Sequence, residues 1–233
     1  MERPLHPEIE LARSVAATVI EGHGKANAAS VRKGGVRPER DQGLPVALTA
    51  EEARSLIAAG ATTRDRLLIE TMYCTGARAT EVAHVRRRDI KAEGIELLNL
   101  KQRKDRRRRK LVYLDDPALA GRLLLWCQEQ GICDEGYVFP SRKGAGPLGR
   151  DQVRRIVEAA SKRAGIVLLR GNEYRPAWAH VLRHSAAVRW LEGSGGDIQF
   201  AAEQMGHSTT RSMDAYRAIA DERRKALARR CQF

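Results

Sequence analysis

The stretch HVLRHSAAVRWLE, which begins at His180, places a histidine and an arginine three residues apart. On a helix, His180 and Arg183 would lie about one turn apart on the same side. An imidazole and a guanidinium in that arrangement could bind one small anion together. The alternative is an ordinary helix whose apolar residues pack inward while the histidine and arginine stay hydrated, because H-x-x-R alone is a weak motif.

A second candidate anion ligand is Arg78, which follows a glycine turn in CTGARATEVAHVRRRDI and precedes Glu81 by three residues. The planar guanidinium of arginine can donate to two phosphate oxygens at once. The same pattern is also typical of a surface arginine at the start of a helix, so Arg78 alone leaves both interpretations open.

Lys101 stands at the end of a predicted strand and begins the run KQRKDRRRRK. A lysine fixed by a strand among other cations can have its pKa lowered and serve as a proton donor. Most of Arg106 to Lys110 is expected to form a solvated tip, or one that contacts phosphates without chemistry of its own.

Tyr216 follows His207 by nine residues, in GHSTTRSMDAY. On one continuous helix the two side chains would point about 180° apart. Ser208, Thr209 and Thr210 are helix-capping types, so they predict a break that would let the two side chains converge. Taken alone, Tyr216 is either a core aromatic or a nucleophile.

The elements that must position these residues are predicted to be mostly α-helical, with a small antiparallel β-hairpin. Thr49 and Glu52 have capping-box spacing and open a helix. GIELLNLK and RKLVYLDD read as the two strands of the hairpin, and Asp116 with Pro117 favours a helix start. Further helices are expected over 150–164, 180–192, 197–205, 211–219 and 220–230.

The chain divides at about residue 44. Residues 1–43 contain a helical pattern over 8–21 and then a basic, glycine-rich linker, and residues 44–233 form the main domain. The N-terminal stretch carries three acids before any apolar run, unlike a signal peptide. No apolar run approaches the roughly 18 residues that a membrane span needs, and the cysteine spacing suggests neither disulfides nor zinc. We therefore expect a cytoplasmic protein.

The charge of the chain indicates a polyanionic partner. The formal net charge is +13, and residues 78–110 hold 13 Lys or Arg against 5 Asp or Glu. Such a concentration favours a binding face for nucleic acid over general solubilising charge.

Together these motifs resemble those of the tyrosine recombinases, the phage-integrase and Xer-type site-specific recombinases. The resemblance rests on TGARATE, on the hairpin lysine, on HVLRH, on the Gly-His pair at 206–207 and on the tyrosine nine residues later. It extends over about residues 44–230. It implies the fold of a tyrosine recombinase catalytic domain, which breaks and rejoins double-stranded DNA.

The resemblance also implies roles for individual residues. Tyr216 would attack a scissile phosphate and form a 3′-phosphotyrosyl link, while Lys101 would protonate the departing 5′ oxygen and Glu81 would support Arg78. The residues implied to surround the phosphate are Arg78, Lys101, His180, Arg183 and His207. The cations expected to bind DNA are Arg103, Lys104, Arg106, Arg107, Arg108, Arg109 and Lys110.

Neither a metal nor a cofactor is implied, since the mechanism needs none. The C-terminal segment ADERRKALARR resembles the tail with which family members dock onto a neighbouring subunit, which implies a homo-oligomer, a tetramer, on DNA; the helix could equally cover its own domain. Residues 1–43 resemble at most the last helix and linker of the family's core-binding domain.

Two other functions stay open: a recombinase-fold DNA-binding module without recombination activity, and a type IB topoisomerase.

Overall fold

The computed structural model describes residues 45–100, 109–141, 144, 146–170, 173–206 and 213–230. The helices in these ranges are α1 Ala50–Ala58, α2 Thr63–Thr75, α3 Ala79–Ala83, α4 Ala118–Glu129, α5 Arg150–Arg163, α6 Ala179–Gly193, α7 Ile198–Met205 and α8 Asp214–Arg230. A 3₁₀ turn covers Arg87–Asp89. The strands form two antiparallel pairs, β1 Gly94–Leu98 with β2 Arg109–Tyr113, and β3 Val167–Arg170 with β4 Glu173–Pro176.

The mostly α-helical fold with a small hairpin is confirmed, with two local differences. The pair β3–β4 was not expected, because β4 is exposed along most of its length and shows no alternation of apolar and polar residues. The two helices predicted over 211–219 and 220–230 are one helix, α8. No glycine or proline interrupts that stretch, so nothing in it ends the helix. The helical pattern over 8–21 lies outside the described residues.

Capping residues explain where α1 and α2 begin, and a glycine explains where α2 ends. Thr49 and Glu52 form the predicted capping box of α1, and Thr62 caps α2 through the backbone N–H of Asp65. Helix α2 ends at Gly76, which has φ of +57°, the left-handed conformation that glycine adopts without steric cost. Because the chain reverses there, Arg78 follows the end of α2 at a fixed position.

Helix α6 lies at the centre of the domain. Its apolar residues Val181, Leu182, Ala186 and Leu191 are fully buried, and it packs against α2, α7 and α8. Ser185 accepts a hydrogen bond from the backbone N–H of Leu48 at 2.8 Å, which joins the start of the domain to the same helix. Residues on α6 are therefore held by elements from both ends of the described chain.

The register of β1 and β2 decides which hairpin side chains face inward. Ile95 pairs with Val112, and Leu97 pairs with Lys110. Since side chains alternate along a strand, Lys110 shares the inner face with the buried Val112. The solvated tip expected for Arg106 to Lys110 therefore does not extend to Lys110.

We predict that Gly76→Ala destabilises the protein strongly. A Cβ at Gly76 would lie 3.0 Å from both Ala186 Cβ and Trp190 Cη2 on α6. The left-handed conformation costs an alanine about 1–2 kcal/mol, and overpacking adds about 1–3 kcal/mol. Urea denaturation should give a free energy of unfolding lower by about 2–5 kcal/mol.

Gly131→Ala is the matched control. Gly131 also has a positive φ, +63°, but a Cβ there would meet nothing within 4 Å. Only the conformational cost of about 1–2 kcal/mol should appear. Equal losses in the two variants would contradict the claim that α6 constrains Gly76 by contact.

Candidate active site

Arg183 is the most deeply buried charged residue of the predicted site, with 3% of its surface exposed. Its Nη1 donates to the carbonyl of Gly76 and its Nη2 to the carbonyl of Met205, both at 2.7 Å. Burial and then the charge of Arg78 lower the pKa of Arg183 to about 10. One guanidinium thus joins the loop that precedes Arg78 to the end of α7, just before His207.

Arg78 stands at the start of α3 and is held by Glu81. The backbone N–H and the Nη1 of Arg78 each donate to a carboxylate oxygen of Glu81 at 2.8 Å. Glu81 is 6% exposed, and hydrogen bonds between charged groups in such a setting are stronger than neutral ones. The sequence-predicted pair Arg78 and Glu81 is therefore brought together as a rigid unit.

A cleft of about 250 Å³ opens between these elements and the hairpin. The described residues that line it include four cationic side chains and one carboxylate: Arg78, Arg109, Lys110, Arg183 and Glu81. A small space with this imbalance attracts an anion. The cleft brings together two of the predicted phosphate ligands and two of the predicted DNA-binding cations.

Lys110 reaches into this cleft from β2. Its Nζ is buried and has no hydrogen-bond partner among the described residues. It lies near Gly206, the residue that follows α7, since a Cβ added to Gly206 would be 3.9 Å from Nζ. Burial first, and then the charge of Arg183, lower the pKa of Lys110 to about 8. A buried ammonium without a partner is costly, so this position favours an anionic ligand.

A second cleft, of about 670 Å³, lies on the other side of Arg78 and is lined by His180 and Trp178 among others. Arg78 lines both clefts. Partial burial and then the charges of Arg183 and Arg78 lower the pKa of His180. The lowered pKa favours the neutral ring of His180, which can both donate and accept a hydrogen bond at this opening.

Tyr216 lies on α8 and is 7% exposed. Its hydroxyl is 2.8 Å from Nδ1 of His184, whose ring packs edge-on against His180 at 4.5 Å. Burial raises the pKa of Tyr216. Helix α7 ends at Met205 and α8 begins at Asp214, so Tyr216 lies on a different helix from α7. His207 and the break predicted at Ser208, Thr209 and Thr210 lie outside the described residues.

His184 is the functional candidate that the sequence motifs did not single out. It directly follows Arg183 and lies four residues after His180, which places the two histidines on one face of α6. That spacing could have identified His184 from the sequence as a neighbour of His180 in the site. The contact with Tyr216 depends on how α8 packs on α6, which helical periodicity does not specify.

Ion pairs neutralise part of the basic excess near the hairpin. Arg86 and Arg88 both pair with Glu135, and Arg109 pairs with Asp89. The hydrogen bond to Asp89 raises the pKa of Arg109. In contrast, Lys110 keeps its charge without such a partner in the described part of the chain.

Several predicted residues lie outside the described ranges. They are Lys101, Arg103, Lys104, Arg106, Arg107, Arg108 and His207. Among the described residues no group of three or more His, Cys, Asp or Glu could hold a metal ion. None of the helices in the same ranges is long and apolar enough to cross a membrane.

Comparisons with known proteins identify the family of this chain. Residues 47–223 match the phage integrase family. The chain belongs to the phage integrase family. It is 31% identical over 184 residues to tyrosine recombinase XerC of Xanthomonas axonopodis pv. citri (strain 306), covering 77% of this chain and 56% of that protein. The chain thus spans little more than half the length of this relative.

Solved structures share the fold of this chain. The crystal structure of XerA recombinase superimposes with a TM-score of 0.63 at 24% identity, covering 84% of this chain and 68% of the other. A lambda integrase tetramer bound to a Holliday junction gives a TM-score of 0.58 at 19% identity, covering 90% of this chain and 57% of the other. The resemblance found in the sequence, and the catalytic-domain fold it implies, are confirmed.

We predict that Lys110→Met stabilises this phage integrase family member at neutral pH. The pKa of Lys110 is about 8 in the folded protein against an ordinary 10.5, so folding disfavours its charged form. The resulting cost is fully present below pH 8 and fades as the pH rises towards 10.5, where the lysine is neutral in both states. Because part of the side chain is hydrated, we expect a gain of about 1–2 kcal/mol at pH 7 rather than the full value of the shift.

Urea denaturation at pH 7 and pH 10 measures this effect. The gain from Lys110→Met should shrink at the higher pH. Lys91→Met is the control, because Lys91 is exposed and lines neither cleft; it should change stability at neither pH. A Lys110→Met variant less stable than the native protein at pH 7 would contradict the buried, uncompensated charge.

Proposed function

We propose that this protein recombines DNA at specific sites by cutting and rejoining strands through a covalent 3′-phosphotyrosyl link at Tyr216. The observation that carries the proposal is the buried Tyr216 hydroxyl, positioned on α8 beside a helix that also supplies His180 and Arg183. Membership of the phage integrase family supports it. The relatives are longer than this chain, so the activity of a whole recombinase is part of the proposal.

In this proposal Arg78 and Arg183 hold the scissile phosphate. Charge accumulates on the non-bridging oxygens as the phosphorus is attacked, and preorganised cations stabilise that charge most effectively in a partly desolvated cleft. The bridge from Arg183 to the Gly76 and Met205 carbonyls supports this role, because it fixes the guanidinium before DNA arrives. Lys110 adds a third positive charge from the hairpin side.

Three further residues complete the proposed chemistry. Lys101 protonates the departing 5′ oxygen, and His207 and His180 donate hydrogen bonds to the phosphate or transfer protons. Glu81 keeps Arg78 in place, as its two hydrogen bonds to that residue support. The 3′-phosphotyrosyl link conserves the energy of the phosphodiester, so a second 5′ hydroxyl can reverse the step.

Double-stranded DNA is the proposed partner, and the cytoplasm the proposed location. The hairpin cations bind the duplex backbone: Arg103, Lys104, Arg106, Arg107, Arg108, Arg109 and Lys110. We propose that residues 44–233 form the catalytic domain; the helix and basic linker predicted for residues 1–43 lie outside the described residues.

We also propose that the chain acts as a homotetramer on DNA through its C-terminal helix. The lambda integrase tetramer of similar fold supports this assembly. The part of α8 up to Arg224 packs on its own domain: Ile219 and Ala220 are buried, and Arg224 donates to the carbonyl of Leu191 at 2.8 Å. A docking role therefore falls to the later residues of the helix, of which Lys225, Ala228 and Arg229 are exposed.

We predict that Tyr216→Phe abolishes covalent attachment to DNA. The native protein incubated with nicked duplexes that carry candidate sites should give an adduct of reduced mobility on denaturing gels, because a nick prevents rejoining. The variant lacks the attacking oxygen, so it should bind the same DNA and give no adduct. Tyr113→Phe removes a hydroxyl from an exposed tyrosine of the hairpin and should react like the native protein.

The other outcomes identify the alternatives. If the native protein binds DNA but gives no adduct under any condition, the protein is a recombinase-fold binding module. An adduct that survives in Tyr216→Phe would assign the nucleophile elsewhere. Relaxation of supercoiled plasmid without a specific site would indicate a type IB topoisomerase.

The affinity for duplex DNA should fall steeply with salt, since each neutralised phosphate releases counterions. Lys110→Met should flatten the slope of log K against log salt by about 0.9, the loss of one phosphate contact. Fluorescence anisotropy between about 50 and 200 mM salt measures both slopes. Lys91→Met should keep the native slope, and an unchanged slope in Lys110→Met would remove Lys110 from the interface.

A further inference from the structure

The hydroxyl that is proposed to attack DNA already has a partner in the protein. Nδ1 of His184 lies 2.8 Å from the Tyr216 hydroxyl, and the two rings lie 5.5 Å apart at an angle of 37°. Within the described residues, His184 is the only side chain that makes a hydrogen bond to this hydroxyl. The contact is therefore a specific arrangement around the reacting atom.

The reaction requires a group in this position. When Tyr216 Oη forms its bond to phosphorus and the bond from phosphorus to the 5′ oxygen breaks, the phenol must lose its proton. Burial raises the pKa of Tyr216, so the phenol is neutral before attack. A base within hydrogen-bond reach can take the proton as the new bond forms, and such transfer is worth about 100-fold to 10,000-fold in rate.

His184 is unprotonated when the reaction begins. Burial first, and then the neighbouring His180 and Arg183, lower its pKa to about 4. A neutral imidazole has a free lone pair, so Nδ1 can accept the phenol proton. An anionic phosphate bound by Arg183 would offset one of the charges that depress this pKa, so DNA binding itself would make His184 more basic.

The packing separates the tasks of the two histidines. His184 and His180 lie one turn apart on α6 with their rings nearly perpendicular, at 81°. His180 lines the cleft beside Arg78, whereas His184 contacts Tyr216. The ring of His184 thus lies between Tyr216 and His180, the histidine that lines the cleft.

We propose that His184 is a catalytic residue that takes the proton from Tyr216 Oη during strand cleavage and returns it during rejoining. The role rests on the proposed function of Tyr216. In cleavage, the proton moves from Oη of Tyr216 to Nδ1 of His184, while the departing 5′ oxygen receives a proton from Lys101. In rejoining, a 5′ hydroxyl attacks phosphorus and gives its proton to Lys101, while the bond from phosphorus to Oη breaks and Oη takes back the proton held by His184.

The test compares His184→Asn with the native protein in single-turnover adduct formation on a nicked duplex, over a range of pH. The asparagine carbonyl can accept a hydrogen bond from Tyr216 near the position of Nδ1 but cannot take a proton. We expect adduct formation to slow about 100-fold or more at neutral pH, with DNA affinity within about threefold of the native value. The native rate should fall as the pH drops through the pKa of His184 in the DNA complex, and the variant should lose that titration.

His84→Asn is the matched control. His84 is another half-buried histidine that packs edge-on against a tyrosine, Tyr137 at 5.9 Å, but its Nδ1 bonds the backbone carbonyl of Thr80. This substitution should leave both the rate and the pH profile unchanged. A general effect of replacing a buried histidine would instead appear in both variants.

A His184→Asn variant that reacts at the native rate with the native pH profile would overturn the role of His184. So would a loss explained by weaker DNA binding or by a lower melting temperature, each measured on the same preparations. Failure of the proposed function is distinguishable, because then the native protein itself gives no adduct that depends on Tyr216. In that case the proposed function and the proposed role of His184 are both wrong.

Discussion

The site depends on one buried cation. Arg183 is held by carbonyls at the end of α2 and the end of α7, so a single side chain fixes the distance between the segments that lead to Arg78 and His207. Carbonyl oxygens stabilise the guanidinium without cancelling its charge, as a carboxylate would. The field at the cleft is therefore positive, and the loops around it cannot separate without breaking two buried hydrogen bonds.

The charge of Arg183 adds to the effect of burial on the protonation states around it. The charge of Arg183 contributes to the lowered pKa values of Lys110, His180 and His184. Burial is the larger cause in each case, and together with this charge it favours the neutral forms of His180 and His184 and lowers the pKa of Lys110 to about 8. These buried charges lower the stability of the folded protein. Removing from water the Lys110 ammonium, which has no hydrogen-bond partner among the described residues, and the Arg183 guanidinium costs free energy. A bound phosphate would offset both costs, which couples the stability of the site to its occupancy.

Most of the architecture was predictable because it follows from local rules. The capping box at Thr49, the hairpin strands and the limits of α6 follow from spacing, propensity and periodicity. The second hairpin was not predictable, since β4 is exposed along most of its length and shows no alternation of apolar and polar residues. The single helix α8 was predicted as two, although no helix-breaking residue interrupts it.

The sequence by itself determined the family, the order of the candidate phosphate ligands and the identity of the candidate nucleophile, because these are residue types at characteristic separations. Only the tertiary structure decided the contacts between elements. It turned Lys110 inward through the register of β1 and β2, and it brought His184 to Tyr216 through the packing of α8 on α6. Such contacts join residues on different elements, and their geometry depends on how whole helices and strands dock, which no local pattern encodes.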